Sequence, residues 1–179
     1  MRRAEKYTPR YTYSEWLHWE ERGELIEGIP IEKSKRIGPK HEKAKAKLKE
    51  ELALALTKAM CKGFTVGDPI DYKITNETIL KPDIFIVAGK INKSYLDFPA
   101  VIIAEIVSKS TEERDRGIKY RFYEQQGVKY YLIIDAMKKV MGIYELVEGK
   151  YQLQPYQNDF QFQLNESCKM VPELDNIWE

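Results

Sequence analysis

Two acids stand where acids are costly. Glu105 lies inside Val101-Ile102-Ile103-Ala104-Glu105-Ile106-Val107, an apolar run that reads as a buried central strand. Asp83 opens Asp83-Ile84-Phe85-Ile86-Val87, directly after Pro82. An ionised carboxylate in such a place is unfavourable unless a cation pairs with it or binds it. Two acids on neighbouring buried strands could share a divalent metal ion. A magnesium-like ion takes oxygen ligands, few from protein and the rest from water or phosphate. It activates water and neutralises charge on phosphoryl oxygens. A nearby lysine orients or deprotonates that water and offsets the charge. Two carboxylates on adjacent strands plus a lysine are therefore the minimal kit for hydrolysing a phosphodiester.

The elements around these acids follow from pattern. Thr12 and Glu15 make a T-x-x-E capping box, opening a short helix to about residue 21 with Trp16, Leu17 and Trp19 on its apolar side. Residues 24–34 look like a hairpin turning at Glu27-Gly28. Gly38-Pro39 opens a long helix that Gly63 ends, with Ala44, Leu48, Leu52, Ala55, Leu56 and Ala59 at helical spacing. His41 falls on the same stripe. Strands are predicted over about 64–66, 69–74, 83–87 and 100–107, with a turn at Asn76 and a loop over 88–99. Ser110 and Glu113 form a second capping box, opening a helix that stops at Gly127. Further strands are predicted over about 129–135, 139–147 and 151–156, with a turn at Glu148-Gly149-Lys150, and the tail 157–179 reads as polar with a possible strand at 160–164. The alternation of helices and strands predicts an α/β fold, a mixed central β-sheet flanked by helices.

The bulk numbers suit one globular domain over residues 1–179. At 179 residues folding buries about 70% of the unfolded surface, enough core without staples. The composition, 43% hydrophobic and 32% charged, is ordinary for a globular protein. The net charge of +1 makes the whole molecule no magnet for nucleic acid. Local basic patches must carry that role. One runs through Lys33, Lys35, Arg36, Lys40, Lys43, Lys45, Lys47 and Lys49; another holds Lys109, Arg114, Arg116, Lys119 and Arg121. Both are interleaved with Glu, as a solvated helix face would be. Cys61 and Cys168 lie far apart without ligand spacing, so neither a zinc site nor a disulfide is expected. A reducing, cytoplasmic setting fits. Residues 1–6 have no apolar run behind them, as a signal peptide would, and no stretch approaches the roughly 20 apolar residues that span a bilayer.

Several blocks occur together and in order: Thr12-Tyr13-Ser14-Glu15-Trp16-Leu17; Gly23-Glu24-Leu25-Ile26-Glu27-Gly28; Gly38-Pro39-Lys40-His41; Lys81-Pro82-Asp83-Ile84-Phe85-Ile86-Val87; Ala104-Glu105-Ile106-Val107-Ser108-Lys109-Ser110-Thr111; and Asp115, Lys119, Tyr123 before Gly127-Val128-Lys129-Tyr130-Tyr131-Leu132-Ile133-Ile134-Asp135. Over about residues 8–155 the chain resembles the Uma-type restriction endonuclease family of the PD-(D/E)xK nuclease superfamily. The resemblance implies a restriction-endonuclease-like fold and metal-dependent hydrolysis of DNA with Mg²⁺ or Mn²⁺. It places the family's acidic residues on Glu24, Asp83 and Glu105, its histidine on His41 and its lysine on Lys119: Asp83 and Glu105 would hold the metal, Glu24 would add a ligand or orient a ligand water, Lys119 would act on the attacking water and His41 would position water or phosphate. In the superfamily the lysine follows the Glu by two positions, which here is Val107. The family's Ser-Pro-Ser-Thr is also changed, to Ser108-Lys109-Ser110-Thr111. Lys109 is the other lysine in reach. On a continued strand it shares Glu105's face, about 13 Å further along.

Each site residue has a plainer reading. Asp83 could be a turn acid, Glu105 the partner of a buried base, Lys119 an ordinary i,i+4 partner of Asp115, His41 a core-edge histidine. Glu24 could be a solvated hairpin acid, with Glu27 as substitute. Tyr123 and Tyr130 read as packing residues. Two functional alternatives stay open beside a DNA endonuclease: an inactive nucleic-acid-binding or assembly protein on the same fold, and a hydrolase of RNA or another phosphate ester. No phosphate-cradling Gly-rich loop is present. Cutting both strands of a duplex would favour a symmetric homodimer.

Overall fold

The computed structural model describes residues 9–20, 22–32 and 38–179. Part of the first basic patch (Lys33, Lys35 and Arg36) and the far end of the predicted 24–34 hairpin lie outside them.

Helix α1 is a single turn, Tyr13–Trp16, shorter than the predicted helix. Its capping box forms: the Thr12 N–H and hydroxyl both donate to Glu15, at 2.8 and 2.7 Å. Only Trp16 of the expected apolar side is buried; Leu17 and Trp19 face solvent. Strands β1 (Glu24–Ile26) and β2 (Ile29–Ile31) form a hairpin whose turn is Glu27-Gly28. Both turn residues have positive φ, 50° and 79°, the geometry that matches the right-handed twist of the flanking strands. Gly28 is required twice over, since a Cβ there would also meet Arg10 Cβ at 2.8 Å.

Helix α2 (Pro39–Lys58) buries Ala44, Leu48, Leu52, Ala55 and Leu56, the predicted stripe. The strands that follow are β3 (Phe64–Gly67), β4 (Asp71–Lys73), β5 (Ile79–Leu80), β6 (Ile84–Ala88), β7 (Tyr95–Leu96) and β8 (Ile102–Ile106). A helical stretch comes next: α3 (Glu112–Arg114), a π segment (Asp115–Lys119) and α4 (Tyr120–Gln125). Thr111 rather than Ser110 precedes α3, and it makes no side-chain cap, so the second predicted capping box does not form. Then come β9 (Tyr130–Asp135), β10 (Val140–Val147), β11 (Lys150–Gln154), β12 (Phe162–Asn165) and β13 (Cys168–Met170).

A mixed sheet lies at the centre, in the order β11-β10-β9-β8-β6-β3, with β8 and β9 parallel and the other pairs antiparallel. The expected mixed central sheet is present, and the described residues form two smaller sheets beside it. The sequence β2-β1-β5-β4-β7 makes a second sheet, and β12-β13 a separate hairpin. The second sheet is hard to read from the sequence for a simple reason: β5 and β7 have two residues each, too short for any alternation to show.

The central sheet is apolar on both faces. Leu48, Leu52 and Leu56 of α2 pack on Ile84, Ile86, Ile102, Ala104 and Ile106, together with the β12-β13 hairpin. The alternate residues Phe85, Val87, Ile103 and Val107 face the other way, onto Tyr72, Leu80, Tyr123 and Tyr131. Glu105 has the parity of this second layer.

One expectation is overturned. Cys61, just past α2, and Cys168, on β13, are joined as a disulfide with Cα atoms 5.4 Å apart. They are 107 residues apart in sequence, so only the packing of the hairpin on α2 brings them together. Closing so long a loop restricts the unfolded chain. We expect Cys168→Ala, or reduction, to remove about 2–5 kcal/mol of stability, read from denaturant melts with and without a reductant.

Candidate active site

The register of β6 against β8 sets the two acids. Ile84 pairs with Ala104 and Phe85 with Ile103, antiparallel. One step further along that register, Asp83 lies opposite Glu105. Cross-strand neighbours hold their Cβ atoms about 4.5–5.5 Å apart. The Ile106 N–H donates to Asp83 Oδ2 at 2.9 Å, fixing that carboxylate at the strand end. Pro82 has no N–H to give a ladder and suits the residue just before.

Lys119 comes down from the helix above. It is 2% exposed, and its Nζ lies 2.5 Å from Glu105 Oε1, 2.9 Å from Glu24 Oε1 and 3.3 Å from Asp115 Oδ1. Asp115, Lys119 and Tyr123 are all buried at a spacing of four. In a plain α-helix a spacing of four overshoots one turn by about 40° at each step. The wider π turn between Asp115 and Lys119 offsets that drift and keeps all three on the inner face. Tyr123 completes the set, its hydroxyl donating to Glu105 Oε1 at 2.7 Å.

Glu24 enters from β1 in the second sheet. Its Oε1 accepts the Lys81 N–H at 2.9 Å as well as Lys119. Its Oε2 is 2.9 Å from Arg114 Nε, an ion-pair contact without hydrogen-bond alignment. His41, in the first turn of α2, holds Nε2 3.7 Å from Asp83 Oδ2, while its buried Nδ1 has no hydrogen-bond partner.

All five residues expected from the sequence therefore line one cleft of about 130 Å³: Glu24, His41, Asp83, Glu105 and Lys119. That is room for a hydrated ion or a phosphate group. Lys109 is exposed and does not line it. Three further residues belong to the cluster. Asp115 and Arg114 line the cleft, and Tyr123 lies beneath it. Polar residues at 115, 119 and 123, on what must be one helical face, were a legible signal for the first and last. Arg114 left no such trace.

The electrostatics are unbalanced. Five carboxylates line the cleft (Glu24, Glu32, Asp83, Glu105 and Asp115) against four cationic side chains (Lys45, Lys81, Arg114 and Lys119). Burial pushes Glu105 well above the usual carboxylate range, and Asp115, Asp83 and Glu24 add repulsion that Lys119 only partly cancels. Burial also raises Asp83. Glu24 is buried too, yet Lys119, Arg114 and the Lys81 N–H hold it below its ordinary value. The surrounding carboxylates overcome burial at Lys119 and keep its ammonium protonated.

A divalent cation fits this deficit. Both donors to Glu105 sit on Oε1, and Asp83 uses Oδ2 for Ile106, so among the described residues Glu105 Oε2 and Asp83 Oδ1 accept no hydrogen bond. Glu24 is different: its Oε1 is taken by Lys119 and the Lys81 N–H, while its buried Oε2 lies near Arg114 without accepting a hydrogen bond. Among the described residues no three of His, Cys, Asp and Glu converge as a ready-made metal cage. The fit is thus two carboxylates with the remaining positions left to water and phosphate, the habit of Mg²⁺.

Residues 10–174 match the model of the Uma2 family, described as a putative restriction endonuclease. The chain belongs to this family. The fold agrees. A crystal structure of a putative nuclease belonging to DUF820, from Anabaena variabilis, superposes with a TM-score of 0.71 at 14% identity, covering 93% of this chain and 97% of that one. No curated protein matches the chain.

Glu105 binds its proton more tightly folded than unfolded. Such an acid contributes stability below its unfolded pKa, near 4.5, and loses it as pH rises through the folded value. We expect metal-free Glu105→Gln to flatten the decline in stability above about pH 5. It should melt no lower than the parent chain at about pH 8. Thermal melts in chelator across that range check this. A variant melting several degrees lower would mean that the Glu105–Lys119 attraction dominates.

Proposed function

We propose that the protein is a metal-dependent endonuclease that hydrolyses DNA phosphodiester bonds. The observation that carries this reading is that Asp83, just ahead of β6, and Glu105 on β8 line one cleft, each with one oxygen that accepts no hydrogen bond among the described residues. The two acids would hold Mg²⁺ or Mn²⁺, which supplies water activation and charge neutralisation at the phosphoryl group.

The chain's own residues take distinct parts. Lys119 stays an ammonium and offers a charged donor beside Glu105, where charge develops on the attacking water and the phosphate. It is therefore an electrostatic and orienting group rather than a base in this state. Glu24 holds Lys119 in place through Oε1, and its Oε2, which accepts no hydrogen bond, would add a metal ligand or orient a ligand water. His41 stands between Asp83 and Glu42, with Nε2 3.7 Å from Asp83 Oδ2 and Nδ1 3.4 Å from Glu42 Oε1, and would orient water or phosphate at the cleft wall. Lys45, Lys81 and Arg114 also line the cleft and favour a polyanion despite the small net charge. Cutting both strands calls for two such sites, which a symmetric dimer supplies. Among the described residues no helix is long and apolar enough to cross a membrane.

A second reading keeps the fold and drops the chemistry: a nucleic-acid-binding or assembly protein. The 2.5 Å contact between Lys119 and Glu105 favours it, because a carboxylate so paired needs no metal.

Plasmid nicking with Mg²⁺ or Mn²⁺ separates the two. A nuclease cuts the plasmid, loses detectable cutting as Asp83→Ala or Glu105→Ala, and slows by about 100-fold or more as Lys119→Ala. Cutting that survives both acid substitutions unchanged would sink the assignment. A DNA gel shift without cutting, unaltered by Glu105→Gln, supports the second reading.

A further inference from the structure

We infer that Tyr123 is a positioning residue that holds Glu105 with one oxygen turned to the cleft. This deepens the nuclease reading and rests on it. A carboxylate facing one ammonium is free to swing and present both oxygens to it. Glu105 does not. Lys119 and the Tyr123 hydroxyl share Oε1, at 2.5 and 2.7 Å, and Oε2 is left without a protein donor among the described residues.

Tyr123 is itself immobilised. Its ring stacks on Tyr72 with planes 8° apart and centroids at 6.3 Å, and meets the edge of Tyr131 at 5.1 Å. Tyr72 belongs to the second sheet and Tyr131 to β9, so the ring is wedged between two sheets. The ring alone is a packing group, and phenylalanine would fill that space without a hydroxyl to satisfy. The hydroxyl adds a demand for a buried acceptor and meets it on the acid opposite Asp83. Partners that orient ligating carboxylates typically change metal affinity or activity by about 10–100-fold when removed.

The test compares the parent chain, Tyr123→Phe and Tyr151→Phe. Tyr151 is a control from the same core, and its hydroxyl donates to the Val128 carbonyl away from the cleft. Mn²⁺ affinity is measured by calorimetry, and plasmid cutting gives kcat and KM separately. Tyr123→Phe should weaken Mn²⁺ binding and lower kcat by about 10-fold or more, with KM for DNA and melting temperature little changed. Tyr151→Phe should leave both Mn²⁺ binding and kcat near the parent values. Para-aminophenylalanine at position 123 restores a donor and should recover most of the loss. That arm also decides the matter if the Phe variant folds poorly. If the parent chain binds and cuts and Tyr123→Phe matches it within about two-fold, the inference is overturned and the nuclease reading stands. If the parent chain neither binds Mn²⁺ nor cuts, both fail together.

Discussion

The buried ammonium of Lys119 is the interaction on which this structure turns. Three carboxylates from three separate elements reach it: Glu24 from β1, Glu105 from β8 and Asp115 from its own helix. Burying a lysine without such partners is prohibitive, and leaving the acids without it would be worse. Each element is therefore bound to the position of the others. The π turn sets the height and rotation of the helix, and the second sheet must come close enough for Glu24 to contact Lys119. Buried ion pairs of this kind are poor sources of stability, because desolvation consumes most of the attraction. Stability comes from the apolar layer of α2, the central sheet and the β12-β13 hairpin, which the Cys61–Cys168 bond closes.

That division of labour separates the two faces of the sheet. The α2 face is uniformly apolar along Ile84, Ile86, Ile102, Ala104 and Ile106. The opposite face is apolar except for Glu105 on β8, Asp83 just ahead of β6 and Asp135 at the end of β9. A charged defect near the edge of one layer is tolerated because the strands carry only aliphatic side chains at these positions on the other face. The aromatic residues around the defect serve the same end. Tyr123 and Tyr131 each turn a hydroxyl back toward the charged cluster, to Glu105 and to the Asp115 carbonyl, while their rings stay within the apolar layer.

Legibility in the sequence followed the range of the interaction. The α2 stripe, the Thr12-Glu15 cap, the Glu27-Gly28 turn and strands β6, β8 and β9 depend on local periodicity or on residues a few positions apart, and they emerged where expected. Glu105 and Asp83 stood out because each violates its own surroundings. The second sheet did not emerge, since two-residue strands carry no period. The disulfide did not, since nothing near Cys61 or Cys168 encodes the hairpin that joins them. Arg114 was equally invisible. One arginine in a helix rich in charge looks solvated until β1 is placed beside it.

Val107 shows why a motif can fail while the site persists. It has the parity of Glu105, two residues on, the place where the superfamily's strand lysine would stand. Here it is 6% exposed and packs in the same layer as Tyr123 and Tyr131. A lysine there would have to place its ammonium among those aromatic rings to meet Glu105. Lys119 reaches the same oxygen from the opposite direction, off the overlying helix, at 2.5 Å. The proposed chemistry would require a cation at a point in space, and either a strand or a helix can deliver it. Linear spacing records only the first route. The exchange has a structural consequence: once the lysine sits on the helix, that helix must hold its register to within a residue. The π segment, Asp115 and Tyr123 together impose that register.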